Sequence, residues 1–110
     1  MKIAVVGTGY VGLVSGTCLA DTGNQVVCVD IDERKVQSMK AGNIPIYEPQ
    51  LDLLFNRNIK AGRLSFTTSL AEGIADAKLI FLALPTPPGA DGSADLSYIL
   101  EVADQIGKLI

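Results

Sequence analysis

The segment Gly7-Thr8-Gly9-Tyr10-Val11-Gly12 follows the short β-branched run from Ile3 to Val6 and opens a stretch with helical spacing. Between a strand and a helix, the GxGxxG pattern is suited to cradling a pyrophosphate. Gly7 permits the tight turn, Gly9 has no Cβ where the phosphates must approach the backbone, and Gly12 lets helix and strand pack closely. The backbone N–H groups near Tyr10 and Val11 then point, with the helix dipole, at the anion. A glycine-rich turn that binds nothing is the alternative, and Asp30 weighs against it. Asp30 ends the next strand-like run, about 20 residues after the glycines, where a carboxylate accepts both hydroxyls of an adenosine ribose. A 2'-phosphate there would meet like charge, and Ile31, Asp32 and Glu33 follow with no immediate Arg, so the pattern favours NAD over NADP.

Other side chains carry weaker signals. Lys35, one turn into a second helix, reaches toward a ribose or adenine edge, or is simply solvated. Thr86 stands just past an apolar strand, in the crevice where open α/β sheets bind ligands, and is otherwise a turn residue before prolines. Glu48 before Pro49 has the look of a catalytic acid, but a helix dipole stabilises any acid at a helix start. Cys18 and Cys28 lack CxxC spacing and the chain has no His, so metal ligation has little to work with and buried, reduced thiols are expected.

These residues need a scaffold of alternating strands and helices. Ile3 to Val6 reads as a buried strand. A helix follows from Tyr10 to about Thr22, with Val11, Val14, Cys18 and Leu19 as its apolar positions and Gly23-Asn24 as its stop. Gln25 to Asp30 repeats the strand pattern. Asp32 caps a second helix with Val36 and Met39 inward and Gly42 after its last turn. Pro49 suits the first turn of a short helix carrying Leu51, Leu54 and Phe55. Leu64 to Thr67 is a third strand, and a short helix follows near Leu70 to Ala75. Lys78 to Leu84 is an almost unbroken apolar strand, which implies burial on both faces. The loop from Pro85 to Ala94 leads to a final helix with Leu96, Ile99, Leu100, Ala103, Ile106 and Ile110 inward. Strands and helices alternating over short connections predict an α/β fold with a doubly wound parallel sheet of the Rossmann type, truncated at about four strands in the order 3-2-1-4.

Composition agrees with one globular domain: 110 residues are 48% apolar. A net charge of −3, with acids and bases scattered singly, offers no basic stripe for nucleic acid or an anionic membrane. No stretch approaches the ~18 apolar residues of a membrane span, and the first apolar run is too short for a signal peptide, so a cytoplasmic protein is expected.

Four segments together resemble the UDP-glucose/GDP-mannose dehydrogenase family: Met1 to Leu13 with the glycines, Val29-Asp30-Ile31-Asp32 with Lys35, Pro45-Ile46-Tyr47-Glu48-Pro49, and Leu84-Pro85-Thr86-Pro87-Pro88. The last two segments are far more specific than the glycine motif. The resemblance implies oxidation of the C6 alcohol of a UDP-sugar to a carboxylate in two steps, with two NAD and a covalent thioester on a cysteine. It implies cofactor contacts at Val11, Asp30, Lys35 and Thr86 around Gly7, Gly9, Tyr10 and Gly12. By the same resemblance residues 1–110 are the N-terminal portion of the NAD-binding domain. The cysteine nucleophile, its partners and the sugar-nucleotide domain are expected downstream of position 110. Neither Cys18 nor Cys28 matches the nucleophile, so no residue here is expected to be catalytic. Two rivals remain at this level: a nucleotide-sensing module that gates a transporter, and an NAD-dependent dehydrogenase for hydroxy acids or acyl thioesters. The edge left open beyond Leu79 to Leu84 leads us to expect a homo-oligomer.

Overall fold

β-branched runs that alternate with capped helical stretches can satisfy their backbone only as a covered parallel sheet. The computed structural model describes residues 1–44, 50–84 and 97–109. In chain order its elements are β1 (Lys2–Val6), α1 (Tyr10–Asp21), β2 (Gln25–Val29), α2 (Glu33–Lys40), α3 (Leu51–Lys60), β3 (Leu64–Thr67), α4 (Leu70–Ile74), β4 (Leu79–Leu82) and α5 (Ser97–Leu109). The sheet is parallel throughout in the order β3-β2-β1-β4, as expected. In this register Val5 lies beside Cys28 on one side and Phe81 on the other. The segments Pro45 to Pro49 and Pro85 to Leu96, with Glu48 and Thr86, and the terminal Ile110 lie outside the described residues.

Strand alternation divides the interior into two cores. On one face Ile3, Val5, Val26, Cys28, Leu64 and Phe66 meet Leu13 and Ala20 of α1, Val36 and Met39 of α2, and Phe55 of α3. On the other, Ala4, Val6 and Val29 meet Ile74 of α4 and Val102 and Ile106 of α5. Phe55 and Phe66 anchor the first core with ring centroids 5.4 Å apart. Capping follows the sequence closely. The Asp32 side chain accepts from the Lys35 amide at 3.2 Å, and the Ser69 hydroxyl accepts from the Glu72 amide at 3.2 Å.

Three expectations about inward faces are corrected. α1 buries Gly12, Leu13, Gly16, Thr17 and Ala20, whereas Val11 and Cys18 are exposed. The reason is close approach: a Cβ on Gly16 would stand 3.1 Å from Cys28 Sγ, so small residues, not large ones, mark the packed side. α5 turns Val102 and Ile106 inward, while Leu100 is 64% exposed and Ala103 is also exposed. β4 is not buried on both faces. Its Leu79 and Phe81 share the face of Ile3 and Val5 but lie beyond the cover of α1 to α3, and they remain 44% and 41% exposed.

A buried polar network, unforeseen in the sequence, ties α1 to α3 and β3. Asn58 is fully buried; its Nδ2 donates to Asp21 Oδ1 at 3.2 Å and to the Leu54 carbonyl at 2.8 Å. Its Oδ1 accepts from Arg63 Nε at 3.0 Å, and Arg57 Nη2 donates to Asp21 Oδ1 at 2.5 Å. The Arg57 hydrogen bond, then that from Asn58, holds the Asp21 carboxyl below its usual range. No helix among the described residues is long and apolar enough to cross a membrane.

Candidate cofactor site

β1 must stop where Gly7 turns away. Gly7 has φ +106, and its amide donates to the Val29 carbonyl at 2.7 Å, which stitches the loop to β2. A Cβ at Gly7 would meet the Ala83 carbonyl oxygen at 2.3 Å, and one at Gly12 would meet the Gly7 carbonyl oxygen at 2.0 Å. Both glycines are therefore demanded by the protein itself. Gly9 differs: its φ of −71 suits any residue and a Cβ there meets nothing within 4 Å. It is the N-cap of α1 and has no side chain to cap the helix, so the first turn faces an open space.

That space is a crevice of about 1140 Å³ at the carboxyl ends of β1, β2 and β4, a size suited to an extended small molecule rather than an ion. Gly7, Gly9, Tyr10, Val11, Asp30 and Lys35 all line it, and Gly12 is buried behind the loop. Seven of the eight residues expected at the site are thus brought together, and Thr86 lies outside the described residues. A second hollow of about 350 Å³, between α4, α5 and β4, is lined by mostly apolar residues with Asp76 as its one acid.

Asp30 is fixed from both sides. Its Oδ2 accepts from the Thr8 hydroxyl at 2.5 Å and the Thr8 amide at 3.2 Å, and its Oδ1 accepts from the Asp32 amide at 2.9 Å. Lys35 Nζ stands 3.6 Å from Oδ2. Burial pushes the carboxyl pKa up. The hydrogen bonds from Thr8 and Asp32 and the Lys35 charge outweigh it and hold Asp30 below its usual value. The group is therefore charged at neutral pH.

Thr8, at 1% exposure, had no assigned role in the sequence reading. Its signal was a hydroxyl inside the glycine loop, facing a strand that ends in an acid. Glu101 and Gln105 of α5 also reach the crevice. The inward face expected from the sequence, Leu96, Ile99, Leu100, Ala103, Ile106 and Ile110, gives these two polar residues no role. Ile31, 75% exposed beside Asp30, offers an apolar rim.

Anion cradling and diol binding are what this arrangement can do. Neither cysteine lines the crevice. Burial pushes the Cys28 thiol up to about 12, which removes it as a nucleophile, and Cys18 is exposed on α1 rather than buried as expected. No group of three or more metal-ligating side chains occurs among the described residues.

Comparison with known proteins agrees with the geometry. The family model for the NAD binding domain of the UDP-glucose/GDP-mannose dehydrogenase family matches residues 1–110. A UDP-glucose 6-dehydrogenase of Pseudomonas aeruginosa is 52% identical over 107 residues, covering 97% of this chain and 24% of that protein. Among solved structures, a ternary complex of GDP-mannose dehydrogenase from Pseudomonas aeruginosa superposes with a TM-score of 0.95 at 37% identity, over 100% of this chain and 25% of that one. A UDP-glucose dehydrogenase from Pyrobaculum islandicum gives 0.91 at 40% identity, over 96% and 24%. The chain thus spans about a quarter of the length of the relatives it matches. It belongs to the UDP-glucose/GDP-mannose dehydrogenase family, as its NAD-binding domain.

Proposed function

We propose that this crevice holds the adenosine and pyrophosphate of NAD for the oxidation of a UDP-sugar, UDP-glucose to UDP-glucuronate, by the protein of which residues 1–110 are the N-terminal portion. The observation that carries the cofactor part is the charged, doubly anchored Asp30 at the end of β2, beside a glycine loop whose middle glycine the fold itself does not need. NAD, when bound, supplies a hydride acceptor. Asp30 would accept the ribose hydroxyls, Lys35 would stand over the same sugar, and Ile31 would give the adenine an apolar face. The amides around Gly9, Tyr10 and Val11 would receive the pyrophosphate at the start of α1. Thr86 is assigned to the cofactor by its place in the sequence.

No residue of this chain is given a catalytic role, since Cys28 is buried and Cys18 lies off the crevice. The chemistry is assigned to residues beyond position 110, and the cytoplasm, where NAD and sugar nucleotides are at hand, is the compartment that fits. Self-association is part of the reading. Among the described residues β4 is paired only with β1, and Leu79, Phe81 and Leu82 are exposed along it. Sedimentation at several concentrations tests it, and a monomer at all of them refutes it.

The decisive experiment on the cofactor is calorimetric titration of NAD into the wild type and Asp30→Ala. Charge-assisted hydrogen bonds of about 1.5 to 3 kcal/mol are lost, so affinity falls at least ~10-fold. Equal affinities would remove Asp30 from the site.

A further inference from the structure

Lys35 on α2 gives the ribose end of the crevice a positive charge. A 2'-phosphate could draw on that charge if Asp30 moved away, so exclusion of NADP depends on what keeps Asp30 still. Thr8 is the residue that does so. Its hydroxyl and its amide both donate to Oδ2, at 2.5 and 3.2 Å, while the Asp32 amide holds Oδ1 at 2.9 Å. One carboxylate is thereby clamped between the β1–α1 loop and the start of α2. Any rotation of the Asp30 side chain breaks both Thr8 bonds, and at 15% side-chain exposure water replaces them poorly. The clamp also keeps Lys35 paired, with Nζ 3.6 Å from the oxygen that Thr8 holds. A carboxylate has about four lone-pair positions, and Oδ1 carries only the Asp32 amide among the described contacts, so a ribose hydroxyl can still be accepted there without displacing Thr8.

We infer that Thr8 is a positioning and specificity-determining residue: it locks the Asp30 carboxylate against rotation and so denies NADP both the space and the Lys35 charge that its 2'-phosphate would need. This rests on the NAD reading of the crevice. Asp32 at the α2 cap and Lys35 on α2 lie beside the carboxylate, Glu101 on α5 lines the same crevice, and none of them is altered in the test.

The test compares wild type, Thr8→Val and Thr8→Ser, with Thr17→Val as a control that removes a buried hydroxyl outside the crevice. NAD and NADP are titrated by calorimetry, and the Asp30 carboxyl is titrated by carbon NMR without ligand. The wild type should prefer NAD by ~100-fold or more, because a 2'-phosphate is brought against a fixed like charge. Thr8→Val, which keeps the shape and the amide but loses the hydroxyl, should bind NAD about fivefold more weakly and narrow the NAD:NADP ratio about tenfold. Its Asp30 midpoint should move up, since a hydrogen bond to the charged form has gone. Thr8→Ser should restore all three readings, and Thr17→Val should leave them at wild-type values. A Thr8→Val protein with an unchanged midpoint and an unchanged NAD:NADP ratio overturns the assignment. Equal weakening toward both cofactors does so too, because that is what loop damage alone produces. Should Thr8→Val not fold, Thr8→Ala and Thr8→Cys make the same comparison. A folded wild type that binds no NAD sinks the cofactor reading instead, and with it the discrimination role, whatever the apo titration shows about the clamp.

Discussion

Adding one carbon to each of two neighbouring glycines should separate binding from folding. At Gly9 the backbone is extended, φ −71 and ψ −169, and a Cβ touches nothing within 4 Å. Ala is a poorer N-cap than Gly by roughly 0.5 kcal/mol, while the stiffer unfolded chain returns about 0.4 to 1 kcal/mol. The two terms nearly cancel, so Gly9→Ala should unfold within about 4 °C of wild type. At Gly7 the sum is one-sided. Ala at φ +106 costs roughly 1 to 3 kcal/mol in backbone strain, and its Cβ sits 2.3 Å from the Ala83 carbonyl oxygen, so the loop or β4 must move. Gly7→Ala should lose more than ~10 °C or fail to fold. Binding reverses the order of interest. The Gly9 Cβ occupies the space where a pyrophosphate would reach the loop amides, and loss of two charge-assisted hydrogen bonds lowers NAD affinity by at least ~100-fold, about 2.7 kcal/mol. Thermal unfolding and calorimetric titration of both variants are the assays. A Gly9→Ala protein that binds NAD within a few-fold of wild type would refute the placement of the pyrophosphate; one that melts as early as Gly7→Ala would refute the claim that Gly9 is free of structural duty.

Four shorter expectations accompany it. A thiol reagent should modify Cys18 quickly in the native protein and Cys28 only after denaturation, because burial raises the Cys28 thiol to about 12; two fast thiols would contradict the packing of β2. Thr17→Val should be neutral or stabilise by about 1 kcal/mol in denaturant unfolding, since the buried Thr17 hydroxyl has no partner among the described residues; marked destabilisation would show that it has one. Asp30 is held below its usual pKa, so its ionised form adds stability above its unfolded value of ~3.9, and that stability is lost as pH falls through the folded value. The gap between wild type and Asp30→Asn should therefore be constant near neutral pH and close below about pH 4. Finally, residues 1–110 with NAD and UDP-glucose should give no absorbance from reduced nicotinamide; turnover that vanishes on Cys18→Ser would overturn the assignment of the nucleophile to a position beyond 110.

The parts of this fold visible in the sequence are those governed by local rules. Strand runs such as Leu64–Thr67, the cap at Asp32, and the glycine stops at Gly23 and Gly42 each depend on a few neighbouring residues. The parts that escaped depend on how closely two elements approach. Gly16 against Cys28, and Gly73 with a would-be Cβ 2.2 Å from Val29 Cγ2, make small residues the packed ones, and hydropathy points to the wrong face of α1. Apolar runs likewise report burial in a sheet without reporting how far the covering helices extend, which is why Leu79 and Phe81 at the β4 edge misled. The Asn58 network was invisible for a related reason: its partners Asp21 and Arg63 come from separate elements, and nothing in their spacing announces that they meet.

The site was more legible than the core because its key contacts lie within two loops. Gly7 joins three strands at once: it ends β1, donates to Val29 of β2, and abuts Ala83 after β4, whose amide in turn donates to the Val6 carbonyl at 2.8 Å. Gly12 then fits against Gly7 and Ala83. Substitution at either must disturb the sheet before it can be read as a binding defect, so these two positions say little about function. Gly9 and Asp30 are different in kind, since neither has a Cβ clash or an apolar core contact to lose. Thr8 stands between the two classes: buried like Gly7, yet spending its hydroxyl on the carboxylate that faces the ligand. The fold therefore needs Gly7 and Gly12 whether or not a ligand is present, while Gly9 has no such duty. Asp30 and the Thr8 hydroxyl serve both ends: their hydrogen bond ties the loop to β2 in the free protein and fixes the carboxylate that lines the crevice.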